Sequence, residues 1–464
     1  MTSIRAFGAP QRYEFRAKPR IIYNKKGRKT TSSAAPDGAE FARFFATFVP
    51  AMIPYTRHTL PNGLTVLVSR DRTSKLAAVN MLYRVGARNE DPARTGFAHL
   101  FEHLMFRGTA AVPDFDLPVQ MASGESNAFT NNDYTDFYMT LPAPAVETAL
   151  WLESDRMTGL AITPESLAVE QRVVVEEFRQ RYLNQPYGDQ SMLLRALAYE
   201  RHPYRWATIG IEPAHIEQAT LRDVRAFYRR HYRPGNAILS IVADLDEERM
   251  LRMAEERFGS VPPGDAPPQE PLPVEPPQTA PRRMEVERDV PATTISIAFH
   301  MGARTSRDFF RGDMTSDLLA GGDSARLVQR LVRERRLAAS ANAYVSGSVD
   351  PGLFVVTAQL LPDTAVEQAE AALWEELALL SREAADPYET EKVKNRFEAN
   401  TLFGELNVMN KAMNLGFYEM LGDLPLINRE TELYRSLTPD ELIEFSRATF
   451  RTENSSTLIY KAKK

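Results

Sequence analysis

Gly96-Phe97-Ala98-His99-Leu100-Phe101-Glu102-His103-Leu104-Met105-Phe106 reads H-x-x-E-H on an otherwise apolar segment. Successive residues of an α-helix turn by about 100°, which stacks His99 over His103 and puts Glu102 about 60° to the side of His99, all on one face. The remaining side chains are apolar nearly all round, the pattern of a helix that belongs in a core. Two imidazoles and a carboxylate there need partners, and Zn²⁺ held by two neutral imidazoles plus a carboxylate satisfies them. Glu102 sits too close in sequence to join those ligands and is left as general base on activated water. A lone histidine would read as a core residue bonded to a backbone carbonyl. With 7 His in 464 residues, the H-x-x-E-H spacing points instead to a metallohydrolase site.

The third ligand must come from elsewhere. Thr163-Pro164 supplies an N-cap and an N1 proline for a long helix through about Tyr182. Glu170 and Glu177 lie seven residues apart on it, about two turns, so they share a face with Leu167, Val173 and Val174. Glu176, turned about 100° from Glu177, should point elsewhere.

Around this pair the chain alternates strands and helices. His58–Leu60 and Leu64–Val68 flank a Pro61-Asn62-Gly63 turn, and Ala77–Val85 leads into the motif helix. Asn127–Thr130 and Thr135–Leu141 read as paired strands whose exposed edge suits an added peptide strand. Helices are expected at Ala145–Met157 and Leu221–Tyr232, with a strand at Ala237–Ala243. Val261–Pro281 then holds nine prolines, a semi-rigid linker. Beyond it the chain starts again. Strands are expected at Thr293–Phe299, Ala341–Tyr344 and Leu353–Gln359, and helices near Asp313–Leu319, Ser324–Arg333, Thr364–Leu380 and Tyr388–Met420. His202, His215, His231 and His300 have no partner spacing and read as structural.

An internal repeat marks the two domain ends. Thr220-Leu-Arg-Asp-Val224…Phe227, then Tyr232-Arg233-Pro234 and Asn236, matches Thr438-Pro-Asp-Glu-Leu442…Phe445, then Phe450-Arg451-Thr452 and Asn454. The expected organisation is a basic extension (1–51), a zinc-bearing domain (52–260), the linker (261–282) and a C-terminal repeat (283–464) with no counterpart of His99, Glu102 and His103. The fold class is α+β, two duplicated domains that each pack helices on a mostly antiparallel sheet.

Composition narrows the function. A net charge of −5 argues against non-specific nucleic-acid binding, and the absence of Cys excludes disulfides and thiolate ligands. No apolar run reaches the roughly 18 residues of a membrane span, so a soluble chain is expected. A cytoplasmic location follows, with periplasm or organelle left open. Up to Lys29, nine basic residues face only Glu14, a pattern that fits a transit-like segment, a disordered basic arm or a non-native upstream start, with Met52 as an internal alternative.

From Ile53 onward the chain resembles the pitrilysin/insulinase family of inverted-motif zinc peptidases, near the branch of mitochondrial processing peptidase and its small bacterial relatives. The resemblance implies that His99, His103 and Glu177, 74 residues past His103, hold one zinc ion per chain. It makes Glu102 the catalytic base, with Glu170 a supporting carboxylate of the catalytic centre. Asn127 and Ala128 match the edge strand that binds substrate backbone. Each chain of this kind forms half of a clam-like chamber, and the other half presents an Arg and a Tyr spaced R-x6-Y. Here Arg333 matches the Arg, but the Tyr position holds Ser340 or Ala339, and Tyr344 lies four residues past Ser340. The implied role is the zinc-bearing endopeptidase subunit acting on extended peptides, paired with a homologous Arg/Tyr-bearing chain or, alternatively, a second copy. The eroded Tyr motif leaves a non-catalytic scaffold subunit as the alternative function.

Overall fold

The computed structural model describes residues 22–23, 29–30, 52–264 and 271–463. Ile22–Tyr23 and Lys29–Thr30 pair as two short antiparallel strands. The rest of the basic extension, and with it the expectation made for residues 1–51, lies outside the described residues.

Two sheets organise the chain from Pro54 onward. The first contains Thr56–Thr59 (β1), Thr65–Arg70 (β2), Leu76–Tyr83 (β3), Glu125–Thr130 (β4), Thr135–Pro142 (β5) and Ala237–Ala243 (β6), in the order β1-β2-β6-β3-β5-β4. The second contains Arg282–Arg288 (β7), Thr294–His300 (β8), Ala338–Val345 (β9), Leu353–Leu360 (β10) and Ser455–Ala462 (β11), in the order β9-β10-β8-β11-β7. In both, the last strand inserts between two earlier strands of its half, parallel to one and antiparallel to the other: β6 between β2 and β3, and β11 between β7 and β8. The remaining pairs are antiparallel. The expected duplicated α+β architecture is what the chain forms.

The repeat noticed in the sequence has a physical reason. Thr220 and Thr438 each cap a helix, Leu221–His231 and Pro439–Thr449, by accepting the N–H three residues on while Asp223 and Glu441 return the bond. Past each helix an Asn ties its end to the sheet. Asn236 donates to His231 O at 2.9 Å and Arg84 O at 3.4 Å; Asn454 donates to Thr449 O and His300 O, both at 3.0 Å.

The two halves exchange helices, which the sequence did not announce. Gln190–Ala198, from the first half, packs on the second sheet, where Leu194 and Ala198 share a core with Ala298, Val355, Leu458 and Tyr460. Val408–Met420, from the second half, packs on β3 and β6 of the first sheet. Gly416 lets its backbone approach so closely that a Cβ would stand 3.1 Å from Asn80 Nδ2. Lys411–Asp71 and Arg57–Glu419 ion pairs hold this helix to the first half. Each half therefore completes a core of the other.

Several element expectations change. The helix read as Tyr388–Met420 is two, Pro387–Gly404 and Val408–Met420, because Asn407 takes an extended conformation and caps the second. The helix expected from Asp313 begins at Arg307, capped by Ser306, whose hydroxyl accepts from Phe309 N. The helix expected at Ser324–Arg333 takes the wider π form over Val328–Glu334. The described part of the proline-rich stretch is tacked down: Glu275 accepts the N–H groups of Glu200, Arg201 and His202 at 2.8–2.9 Å.

Candidate metal centre

The motif helix, Phe97–Leu104 (α1), starts where Glu90 caps it. The buried Glu90 carboxylate accepts from Gly96 N and Ala98 N, each at 2.8 Å, satisfying amides that the first turn leaves open. Burial pushes this carboxyl up to about 8 despite those bonds. Gly96 stands at φ +90°, and a Cβ there would meet Ile209 O at 2.6 Å. We expect Gly96→Ala to lower unfolding free energy by at least about 2 kcal/mol, through the left-handed conformation and the clash together, measured by denaturant melts. Phe97, Leu100, Phe101 and Leu104 are buried, with Phe101 stacked on Phe227, Tyr228 and Tyr232.

This anchoring leaves His99, Glu102 and His103 facing Pro164–Phe178 (α2), whose capping box at Thr163 and Ser166 fixes its start. His99 Nε2 lies 3.7 Å and His103 Nε2 3.4 Å from the same Glu177 oxygen. His99, His103 and Glu177 each offer one ligand atom, all within 4.8 Å of one another. A tetrahedral Zn²⁺ with ligands about 2.0–2.2 Å away would separate them by about 3.3–3.6 Å, so the donor set fits the ion with small adjustment. The chemistry also fits. Burial and the neighbouring His103 push His99 down to about 4, so its ring is neutral as a ligand must be. Burial opposes charge on His103, but its bonds to Glu170 and Glu177 outweigh burial and push it up to about 9. Burial would raise Glu177, and the His103 bond with the nearby cations instead holds it down at about 2. The carboxylates thus demand a positive charge between them, which a divalent cation supplies.

Glu170 is 3% exposed and reaches His103 Nδ1 at 3.2 Å, the nitrogen turned away from Glu177. Arg107 pairs with the other Glu170 oxygen. A carboxylate on the distal nitrogen of a ligand histidine fixes its tautomer and ring plane. We expect Glu170→Ala to weaken zinc binding about 10- to 100-fold, read by competition with a zinc chelator. Of the other residues expected on the α2 face, Leu167 and Val174 are buried but Val173 is 41% exposed. Glu176 points outward and pairs with Arg179.

Glu102 is held by Thr130, whose hydroxyl donates to Oε2 at 2.7 Å; burial raises the carboxyl above its usual range. Thr130 ends β4, an edge strand of the first sheet, which among the described residues pairs only with β5. Asn127 and Ala128 lie on this strand opposite Tyr138 and Phe137, and Asn127 Oδ1 accepts from Ala128 N at 2.8 Å. The expected edge position is therefore where these residues sit, beside α1. Arg333 is not brought to this cluster. Its guanidinium is exposed on the second half, 3.6 Å from Asp323. Ser340 and Tyr344 lie on β9, an edge strand of the second sheet, with Tyr344 46% exposed.

Sequence reasoning missed Arg107, Arg181, Thr130 and Glu90. Arg107 follows His103, and Arg181 follows Glu177, by four residues, so helical spacing could have flagged both; Arg181 bonds the second Glu177 oxygen at 2.7 Å. Thr130 and Glu90 meet α1 only through the tertiary fold. His202, His215 and His300 bond Asp350, Thr95 and Ala198 O, the structural parts expected of them.

Duplicated sheet-and-helix halves, with a His–His–Glu cluster on the first alone among the described residues, define the half-chamber class of peptidase fold. Residues 65–209 match the family described as Insulinase (Peptidase family M16), residues 218–397 match Peptidase M16 inactive domain, and the chain belongs to this insulinase/pitrilysin family. It is 28% identical over 411 residues to the zinc protease PqqE of Helicobacter pylori, covering 87% of this chain and 92% of that protein. The crystal structure of a protease from Helicobacter pylori superposes with a TM-score of 0.83 at 27% identity, over 88% of this chain and 100% of that one. The periplasmic protease PqqL from Escherichia coli shares the fold with a TM-score of 0.74 at 17% identity. This chain covers 48% of it. No helix among the described residues is long and apolar enough to cross a membrane.

Proposed function

We propose that this protein is a zinc-dependent endopeptidase hydrolysing extended peptides, the zinc-bearing subunit of a two-subunit chamber. The observation that carries the reading is the convergence of His99, His103 and Glu177 on one point, with Glu102 on the same helix as the two histidines and interacting with His103. These three residues would hold zinc, which when bound polarises a scissile carbonyl and lowers the pKa of water. The substrate adds as a strand to the free edge of β4 near Asn127 and Ala128, presenting its backbone to α1. Glu102 takes the proton of the attacking water at its carboxylate and passes it to the leaving amine. Glu170 acts through His103, keeping Nδ1 occupied so that Nε2 faces the metal. The chain's coverage of 48% of PqqL supports its reading as one half of a chamber. Arg333, remote from this cluster in its own chain, is free to serve the partner's site, while the missing Tyr favours a homologous Arg/Tyr-bearing chain over a second copy.

The test is zinc content and hydrolysis of a quenched peptide library by the chain alone, then with a homologous Arg/Tyr-bearing chain added. Zinc near one per chain with cleavage that needs the partner is the expected result. Cleavage by the chain alone favours the homodimer. Zinc without cleavage under any condition leaves the scaffold reading, and absence of zinc contradicts the site.

A further inference from the structure

We propose that Thr130 is a positioning residue for Glu102, coupling the strand that receives substrate to the base that acts on it. The inference rests on reading Glu102 as that base. Thr130 Oγ1 donates to Glu102 Oε2 at 2.7 Å, and among the described residues no other hydrogen bond reaches this carboxylate. The hydroxyl fixes one oxygen of a carboxylate that interacts electrostatically with His103, and without it a flexible glutamate would sample other rotamers.

Thr130 can do this because the hairpin beyond it does not drift. Asn131 Oδ1 accepts from Asp133 N at 2.8 Å and Tyr134 N at 2.9 Å, closing the turn. Asp133, 6% exposed, accepts from Tyr204 OH at 2.5 Å and, across the halves, from Val349 N at 3.1 Å. The second half thus pins the turn that follows β4. A peptide docked along β4 and the carboxylate beside it move as one body, so substrate register and base position are set together. Distances of this kind control rate through orientation.

The experiment compares, each zinc-loaded and combined with the homologous Arg/Tyr-bearing chain, the wild type with Thr130→Val, which keeps the shape and removes the hydroxyl, Thr130→Ser, which restores it, and Glu102→Gln. Crystal structures of the Thr130 variants are the readout independent of activity. We expect Thr130→Val to bind zinc like the wild type and to lower kcat about 10- to 100-fold, with KM changed less than about twofold. Thr130→Ser should recover most of the rate, and the Glu102 side chain should leave its wild-type rotamer in the Val variant alone. Wild-type kcat in Thr130→Val, a Ser variant as slow as the Val variant, or an unmoved carboxylate in the Val crystal would each overturn the proposal. If the wild type cleaves no peptide even with that partner present, the function reading fails instead, and the crystals alone decide the role of Thr130.

Discussion

Glu102→Gln should bind zinc as the wild type does and lose peptide turnover by about 10²- to 10⁴-fold, the range that a general base contributes. The argument turns on what the amide keeps and loses. Gln has nearly the shape of Glu, and its carbonyl oxygen still accepts the Thr130 hydroxyl now bonded at 2.7 Å. The ligand atoms of His99, His103 and Glu177 are untouched. What disappears is the ability to take a proton, so the loss falls on kcat rather than on zinc or fold. Steady-state kinetics with metal analysis on one preparation checks this; peptide cleavage at the wild-type rate would remove Glu102 from the mechanism.

Glu177→Ala should abolish stoichiometric zinc and with it all cleavage, a larger effect on the metal than that of Glu170→Ala. Glu177 is the residue both histidines face, at 3.7 and 3.4 Å, and it brings the negative charge to a site whose other two donors are neutral when ligating. Its removal also leaves Arg181 without its 2.7 Å partner at the edge of the cluster, a positive charge that repels a cation. Equilibrium dialysis with zinc reads the outcome. Full zinc occupancy in the variant would assign the third ligand elsewhere.

The centre was legible because its parts are helical. Spacing alone puts His99 and His103 on one face of α1 and Glu170 and Glu177 on one face of α2, and helix geometry carries that order into three dimensions unchanged. Asn127 and Ala128 could be placed on an edge strand from alternation next to turn residues. What stayed hidden is set between elements distant in sequence. Thr130 reaches Glu102, and Glu90 caps α1, only because the chain crosses itself there. The exchange of Gln190–Ala198 and Val408–Met420 between halves left no mark beyond ordinary amphipathic patterning. The break at Asn407 was missed because a cap within a long helical pattern reads as tolerated polarity until its extended backbone is seen.

Anomalous diffraction at the zinc edge, from crystals grown with the metal, tests the central claim most directly. The account predicts a single strong peak per chain, about 2.0–2.2 Å from one nitrogen of His99, one nitrogen of His103 and one oxygen of Glu177. A peak at other residues, or crystals free of zinc despite saturating metal, would contradict it.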